Sequence, residues 1–222
     1  MQITQIEELT KSRSRVYIDR EFAFVLYKGE LRRYRIREGE ELSKETYHAI
    51  MSEILPKRAK LRAMNLLKGR EYTTAQLRAK LEQGHYPDSI IEDALDYVAS
   101  FHYTDDLRYA REYICGHEQS RSHRRIEQDL QRKGISRETI QAAWEAWAEQ
   151  GGAQDEEEMI RKLLEKRKYD PETADYAETQ KQAAFLARKG FSGACIRRVL
   201  REYTADATFD EDFFQDCPDK SF

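Results

Sequence analysis

The sequence predicts a mainly α-helical protein made of tandem three-helix, helix-turn-helix-like repeats in an elongated array, with a small β-rich extension at its N-terminus. Three observations lead to this prediction. Only 4 Pro and 10 Gly occur among 222 residues, so few residues interrupt helices. Apolar residues recur at helical spacing after residue 57, and the pattern returns at three places along the chain. Runs of β-branched and aromatic residues, by contrast, concentrate before residue 38.

The N-terminal extension is predicted to be a β-meander followed by a helix. Its strand-like segments are rich in β-branched and aromatic residues and are separated by turn-forming residues. Ser43 fits the N-cap of the next helix, which we expect to end near Pro56 because proline lacks a backbone N–H. The predicted strands are residues 15–19, 21–27 and 31–37.

The rest of the chain repeats one pattern of apolar positions. Leu81, Leu130 and Leu186 begin the pattern, and each is followed by apolar residues 5, 10, 14 and 17 positions later. The intervals between these leucines are 130 − 81 = 49 and 186 − 130 = 56 residues, which indicates repeated supersecondary units and not a short solenoid motif. The predicted divisions are the extension at 1–57, three-helix repeats at 58–106, 107–152 and 153–204, and an acidic tail at 205–222.

A turn follows the middle helix of each predicted repeat. Lys-Gly pairs at 133–134 and 189–190 occupy it in the second and third repeats, where glycine tolerates the left-handed conformation that ends a helix. The first repeat has Gly-His at 84–85, with the glycine displaced by one position. Residues 73–76 fit a capping box that opens the middle helix of the first repeat.

Charge is distributed unevenly. The net charge is 38 − 41 = −3, but the last 18 residues hold six acids against Lys220, a local −5, so residues 1–204 carry +2. Basic residues cluster at 57–80, 121–137 and 181–201. Such clusters are typical of contact with phosphates or with an acidic protein surface, although a solvated helix face has the same composition. The acidic, aromatic tail either docks on the protein's own basic repeats or on a partner, or is disordered.

No motif for catalysis or metal binding stands out. The Asp105-Asp106 pair precedes a predicted helix, where carboxylates accept backbone N–H groups, so we expect a capping role. Cys115 and His117 are not followed by a second Cys/His pair at ligand spacing, and no phosphate-binding G-x-x-x-x-G-K-[ST] sequence occurs. We therefore expect a protein that is not an enzyme and that has no metal or other cofactor.

The sequence also predicts the cellular location of the protein. No apolar run approaches the roughly 18 residues of a membrane helix, and the N-terminus lacks the apolar core of a signal peptide. The 3 cysteines are widely spaced and odd in number, which favours free thiols over a disulfide framework. We expect a cytoplasmic monomer without membrane contact.

Several motifs in the repeats carry a family resemblance. Tyr-x-Asp-Asp-x-x-Tyr-Ala at 103–110 and Lys-Gly-Ile/Phe at 133–135 and 189–191 occur in order. The same resemblance is carried by Arg-Ala at 58–59 and by the segments 63–67, 70–77, 125–135 and 185–191. Over residues 58–204 the chain resembles the RecX family, bacterial regulators of the recombinase RecA, and residues 1–57 are similar to the N-terminal extension of longer members.

The resemblance implies both a fold and a function. It implies tandem three-helix repeats that lie in the helical groove of the RecA–DNA filament and restrain it. It further implies inhibition of ATP hydrolysis, strand exchange and the co-protease role of RecA, and hence an influence on DNA repair, homologous recombination and the SOS response. Ser122 stands where many members have glycine, and the acidic tail is not part of the shared core.

A basic helix of the second repeat is the best candidate contact surface. Ile126 and Leu130 supply its buried side, so nearby arginines can project outward together, although simple solubility is the alternative. For Trp144 and Trp147 we expect packing within or between repeats, with stacking on nucleobases as the alternative. The predicted contact residues for a RecA filament, or for its single- or double-stranded DNA, are Arg121, Arg124, Arg125, Arg132, Lys133, Arg188, Lys189, Arg197, Arg198 and Arg201.

Two other functions remain open on sequence grounds. A stand-alone DNA-binding protein would also use small helical units with a turn and three basic clusters. Tight, salt-sensitive binding to bare DNA without preference for RecA-coated DNA would distinguish it. An enzyme is the weakest alternative, which metal- or nucleotide-dependent turnover would reveal.

Overall fold

The computed structural model describes residues 1–203, with side chains described as far as Arg201. The chain forms two compact units. The first contains Met1–Tyr109 and Lys133–Ile135, and the second contains Ala110–Arg132 and the described residues from Ser136 onward. The acidic tail predicted at 205–222 lies outside the described residues.

The first unit begins with an antiparallel sheet in the order β1 (Ile3–Thr10), β2 (Arg13–Ile18) and β3 (Glu21–Tyr27). Asp19 and Arg20 join β2 to β3 with φ values of 50° and 72°. Two consecutive residues with positive φ form the kind of turn whose twist matches that of the flanking strands. The predicted meander is therefore confirmed, with a different set of strands.

The strand predicted at 31–37 is wrong because its first three residues lie in the helix α1 (Lys28–Arg33) and the rest form a turn and an irregular segment. The Tyr27 amide donates to the Glu30 carboxylate at 2.7 Å, and Arg58 holds the same carboxylate at 2.6 Å, so the chain turns into a helix here. The sheet is completed by β1, which the sequence analysis missed. Most β1 residues are polar or exposed, as in an edge strand, and so lack the apolar alternation that predicts one.

A continuous helical segment follows the sheet. It consists of α2 (Lys44–Ala49), a π-helical turn at Ile50–Ile54 and α3 (Leu55–Leu67). Ser43 caps α2, as predicted. Pro56 does not end the helix, because the wide π turn just before it relieves the need for an N–H donor and gives the proline ring room.

The predicted three-helix repeats are present in tandem. In each repeat, a short turn separates the middle helix from the last. The first contains α3, α4 (Thr74–Glu82) and α5 (Asp88–Ser100). The second contains α6 (Asp106–His117), α7 (His123–Arg132) and α8 (Arg137–Glu149). The third contains α9 (Glu156–Lys166), α10 (Tyr176–Arg188) and α11 (Gly193–Tyr203).

Burial confirms the repeat alignment. The leucines that begin the pattern are fully buried, and each isoleucine ten positions later is at most 2% exposed. Burial of each such side chain contributes roughly 1.5–3 kcal/mol, so the repeated pattern is a repeated core. In the first unit this core continues from the sheet into the first repeat. The aligned buried residues are Leu81, Leu130 and Leu186, then Ile91, Ile140 and Ile196.

The N-terminus of α4 is closed by the Lys-Gly turn that ends α7. The Thr73 hydroxyl donates to the Lys133 carbonyl at 2.6 Å, while its oxygen caps α4. Gly134 has a φ of +84°, and a Cβ at this position would overlap the Ala75 side chain. Glycine is therefore required here both by conformation and by close approach.

The N-terminus of α7 is closed in the same way within the second unit. The Ser122 hydroxyl donates to the Lys189 carbonyl at 2.9 Å and accepts from the Arg125 amide at 3.3 Å. Gly190 has a φ of +91°, and a Cβ there would lie 2.7 Å from the Ser122 Oγ. Ser122 thus has a capping and a bridging role.

Acidic residues complete these helix ends. Asp105 caps its own helix at 2.9 Å, and Asp106 accepts from the Thr74 amide of α4 at 2.8 Å. In the second unit the His123 amide of α7 donates in the same manner to the Glu156 carboxylate at 2.8 Å. The predicted capping role of the Asp pair is confirmed, but Asp106 caps a different helix from the one that carries it.

Candidate interface on helix α7

Helix α7 has a buried face and a basic face. Ile126 and Leu130 are fully buried, and Asp129 beside them is 9% exposed. Charged side chains are rarely buried unless cations or hydrogen-bond donors compensate them. The position of Asp129 therefore requires nearby donors.

Three arginines supply those donors. Arg121 Nη1 lies 2.6 Å from Asp129 Oδ2, and Arg125 Nε lies 3.4 Å from Oδ1. Arg132 pairs with the same Oδ1. The Tyr113 hydroxyl, which accepts from Arg121 Nη1 at 2.5 Å, donates to Asp129 at 3.4 Å. We call Asp129 and these three arginines the Asp129 cluster.

The Asp129 cluster has a surplus of positive charge. Three guanidinium groups against one carboxylate give 3 − 1 = +2. The Arg132 side chain is 60% exposed and that of Arg125 is 43% exposed, so the carboxylate holds the arginines in place without covering them. A guanidinium has five N–H donors and can bind a second anion while it is paired with the first. The cluster is thus suited to phosphate or carboxylate groups of a partner.

The remaining residues predicted beside this cluster have different surroundings. Arg124 is exposed on α7. Lys133 packs with the first unit, where its ammonium group lies 5.5 Å from the centre of the Tyr109 ring. Lys133 was predicted to act with the arginines of α7 because it is adjacent in the chain, but the arginines that contact Asp129 are Arg121, Arg125 and Arg132.

The second predicted patch belongs to the third repeat. Arg188, Arg198 and Arg201 are exposed, and Arg197 is half-buried. Arg198 pairs with Glu157, so part of its charge is neutralised. The patch therefore presents several cations without the shared carboxylate that organises the Asp129 cluster.

Phe185 organises another part of the third repeat. The Lys189 ammonium lies 5.3 Å from the centre of its ring, and the Arg167 guanidinium lies 4.2 Å from it. Arg167 also donates to Gln182 at 2.6 Å. Arg167 was not predicted to belong to this patch, because it lies well before the basic run at 181–201 and approaches Phe185 only in the folded chain.

The sequence also carried a signal for the organising carboxylate. Asp129 stands four residues after Arg125 and three before Arg132, the spacings at which side chains meet on a helix. Arg121 lies outside α7, and its approach depends on the turn between α6 and α7. Only two of the three contacts could therefore be predicted from spacing.

The structure also bears on metal binding, membrane insertion and thiol chemistry. Through residue 203, no group of three or more His, Cys, Asp or Glu residues is placed to hold a metal ion. Over the same span, no helix combines the length and apolar character needed to cross a bilayer. Cys115 and Cys195 are free thiols, and burial raises the pKa of Cys195 to about 11. The Cys195 thiol is consequently a weak nucleophile near neutral pH.

Fold and site together define a tandem three-helix protein with a basic surface on the middle helix of its second repeat. Family models of RecX match all three repeats: the first three-helix domain over residues 59–97, the second over 105–143 and the third over 155–200. The chain belongs to the RecX family.

Individual relatives agree with this assignment. The chain is 33% identical to "Regulatory protein RecX" of Trichlorobacter lovleyi, over 64% of this chain and 93% of that protein. It is 31% identical to the protein of the same name from Caldanaerobacter subterraneus subsp. tengcongensis, over 90% of this chain and 98% of that protein. These relatives are named as regulatory proteins.

Solved structures show the same fold. A crystal structure of regulatory protein RecX superposes with a TM-score of 0.59 at 26% identity, over 89% of this chain and 98% of that one. RecX from Lactobacillus salivarius superposes with a TM-score of 0.57 at 20% identity, over 68% of this chain and 97% of that one. At 20% identity, the similarity to the second structure supports a shared fold and nothing further.

Proposed function

We propose that this chain regulates the recombinase RecA by binding the RecA–DNA filament in its groove. Binding inhibits ATP hydrolysis, strand exchange and the co-protease activity of RecA, and so modulates DNA repair and the SOS response. Membership of a family of regulatory proteins supports the RecA-related role. The observation that carries the proposal is the Asp129 cluster, an ordered and exposed surplus of positive charge.

Filament binding follows from what the cluster can recognise. The DNA of a filament presents phosphates, and a protein surface beside it presents carboxylates, both of which accept bidentate hydrogen bonds from arginine. The cations of the third repeat provide further contacts of the same kind. When one contact has formed, the others act at high effective concentration, so several weak contacts give firm binding.

The proposed action needs no chemistry by this chain. It acts as a ligand that restrains an assembled polymer, as a cytoplasmic monomer without a cofactor. The chain's own residues bind and orient, while ATP hydrolysis belongs to RecA. The proposal therefore predicts that the purified chain slows ATP turnover by RecA and has none of its own.

Inhibition of RecA ATPase on single-stranded DNA tests the proposal. The double variant Arg125→Gln and Arg132→Gln removes two charges but keeps polar side chains beside Asp129. Replacement by glutamate is less suitable, because it would place new carboxylates against Asp129. We expect the variant to need roughly tenfold more protein for equal inhibition, since two partly exposed charge contacts contribute about 1.4 kcal/mol together.

Arg78→Gln is the matched control. Arg78 is a partly exposed arginine of the first repeat that already pairs one-to-one with Glu92 at 2.8 Å, so its loss should leave inhibition unchanged. If the double variant inhibits as well as the unmodified chain, the Asp129 cluster has no part in binding. If the unmodified chain does not inhibit, the proposed function is wrong.

Stand-alone DNA binding is the second candidate function. It is favoured by the short turn before the last helix of each repeat and by the exposed arginines on α7 and α11. Binding to bare and RecA-coated DNA should be compared across salt concentrations. Equal affinity for both, falling steeply with salt, supports this candidate against the filament proposal.

A further inference from the structure

The second unit contains a groove that the proposed function does not use. It lies beside α8 and the segment that leads to α9, and its volume is about 660 Å³. The wall combines two tryptophans, Trp144 and Trp147, with the carboxylates of Glu145 and Glu156. Its charge is opposite in sign to that of the Asp129 cluster.

The two tryptophans differ in their hydrogen bonding. The Trp147 indole N–H donates to the Glu118 carboxylate at 2.5 Å. The Trp144 side chain is only 6% exposed, and its buried indole N–H has no acceptor among the described residues. Buried donors are nearly always paired, so the Trp144 N–H calls for an acceptor from elsewhere.

An acceptor in the same groove also lacks a partner. The Gln154 side-chain nitrogen donates to the carbonyl oxygens of Glu118 and Arg121 at 2.6 and 2.7 Å, which fixes the orientation of its amide. The Gln154 Oε1 is buried without a donor among the residues the structure describes. Trp144 and Gln154 both line the groove, and their unpaired donor and acceptor are the complement of a peptide unit with its C=O and N–H.

The charged groups of the groove are held in position. The Glu156 carboxylate accepts from the His123 amide at 2.8 Å, and the Glu145 carboxylate accepts from Gln141 at 2.9 Å. The His123 ring stacks on Trp144 with the ring centres 4.0 Å apart. Fixed carboxylates beside indole rings favour a guanidinium or ammonium group and repel phosphate.

We propose that this groove binds a basic peptide segment of a partner protein. An arginine or lysine side chain lies against Glu145 and Glu156, and a peptide unit of the same segment accepts from Trp144 and donates to Gln154. The complementary charge argues for a peptide over a nucleic acid, whose phosphates the two carboxylates repel. The site is separate from RecA inhibition by the Asp129 cluster and does not depend on it.

The two tryptophans make a direct test possible, because the chain has 2 Trp and both line the groove. The ¹⁵N-labelled full chain is titrated with N-acetyl-arginine N′-methylamide, which carries a guanidinium and two peptide groups, and the indole N–H resonances are followed. We expect a saturable downfield shift of the Trp144 resonance and a much smaller one for Trp147, which already has an acceptor. The variant Trp144→Phe assigns the two resonances.

Two controls test whether the groove prefers a basic ligand. The variant Glu145→Gln should bind the arginine probe about threefold more weakly, because a partly exposed charge contact is lost. N-acetyl-glutamate N′-methylamide should give no saturable shift. The proposal is wrong if the arginine probe gives no saturable shift, if Glu145→Gln binds it equally well, or if the acidic probe binds as tightly. A saturable shift with oligothymidylate instead would assign the groove to nucleic acid and would also overturn the proposal.

Discussion

The first and second repeats share one helix order but use their basic residues differently. In the first repeat, Arg78 pairs with Glu92 and Arg58 pairs with Glu30. Each guanidinium has a carboxylate of its own, so these pairs add no net charge to the surface. A cluster of basic residues in a sequence is therefore not by itself a positive surface.

In the second repeat, three arginines share one carboxylate. Asp129 holds Arg121, Arg125 and Arg132 together and leaves +2 exposed on the surface. These pairs differ in the ratio of cations to carboxylates, and we propose that this ratio, more than the number of basic residues, determines where an anionic partner binds.

The turns of the two repeats differ as well. In the first repeat, the turn meets the sheet: His85, with a φ of 59°, lies with its Nε2 3.4 Å from an Arg15 guanidinium nitrogen. In the second, the turn residues Lys133 and Gly134 meet the N-terminus of α4. The Lys-Gly turn of the second repeat therefore packs against the end of a helix. The turn of the first repeat packs against the sheet and has a different sequence, Gly-His.

The largest predicted effect concerns the second turn. Gly134→Ala should lower the free energy of unfolding by about 3 kcal/mol, because it adds a clash with Ala75 to the cost of a left-handed conformation. Gly151→Ala is the matched control. Gly151 has a nearly equal φ of +82° but nothing within 4 Å of its Cβ position, so we expect a loss of only about 1 kcal/mol. Urea unfolding followed by circular dichroism measures both, and equal losses would show that close packing of this turn is unimportant.

The next largest difference is expected between loss of Asp129, which three arginines share, and loss of Glu92, which pairs with Arg78 alone. Asp129→Asn should lower the free energy of unfolding by about 2 kcal/mol, since charge-assisted hydrogen bonds to a nearly buried side chain are lost and three arginines then repel one another. Glu92→Gln removes an exposed pair that solvent screens, and its cost should be much smaller. Thermal unfolding of the two variants checks this order, and the reverse order would contradict the organising role of Asp129.

A smaller difference is expected between two helix caps. Ser122→Ala removes both the cap of α7 and the bond to the Lys189 carbonyl, so we expect a loss of about 2 kcal/mol. Ser136→Ala removes the cap of α8 and should cost about 1 kcal/mol. Chemical denaturation of both variants measures the difference, which disappears if the bond across to Lys189 adds no stability.

The smallest effect concerns salt. Arg132→Gln should reduce the slope of log affinity against log salt by about 1 for filament DNA, as expected when one phosphate contact is lost. Arg78→Gln, in the first repeat, should leave the slope unchanged. Fluorescence anisotropy over a range of salt concentrations gives both slopes, and identical slopes for the two variants would place Arg132 outside the DNA contact.

The repeats could be predicted from the sequence because their apolar positions are local and recur. Leu81, Leu130 and Leu186 fix the register, and the glycines of the two Lys-Gly turns have the predicted positive φ. The strand β1 could not be predicted, because an edge strand needs few apolar residues. Pro56 misled the analysis because a π turn before it lets the helix continue.

The candidate sites were predictable only where they depend on helix spacing. Arg125 and Arg132 meet Asp129 at spacings of four and three residues, whereas Arg121 reaches it across a turn. The groove depends on Gln154, whose side chain bonds to carbonyls more than 30 residues earlier in the chain. Contacts of that kind follow from the folded chain and leave no local pattern in the sequence.

Affinity for RecA filaments on single-stranded DNA, measured side by side for Arg125→Gln/Arg132→Gln and Arg78→Gln, tests most directly whether the second repeat is the one that binds. The account predicts roughly tenfold weaker binding for the double variant and unchanged binding for the control, because three arginines share one carboxylate in the Asp129 cluster whereas Arg78 has Glu92 as its own partner. Equal binding by both variants would contradict it.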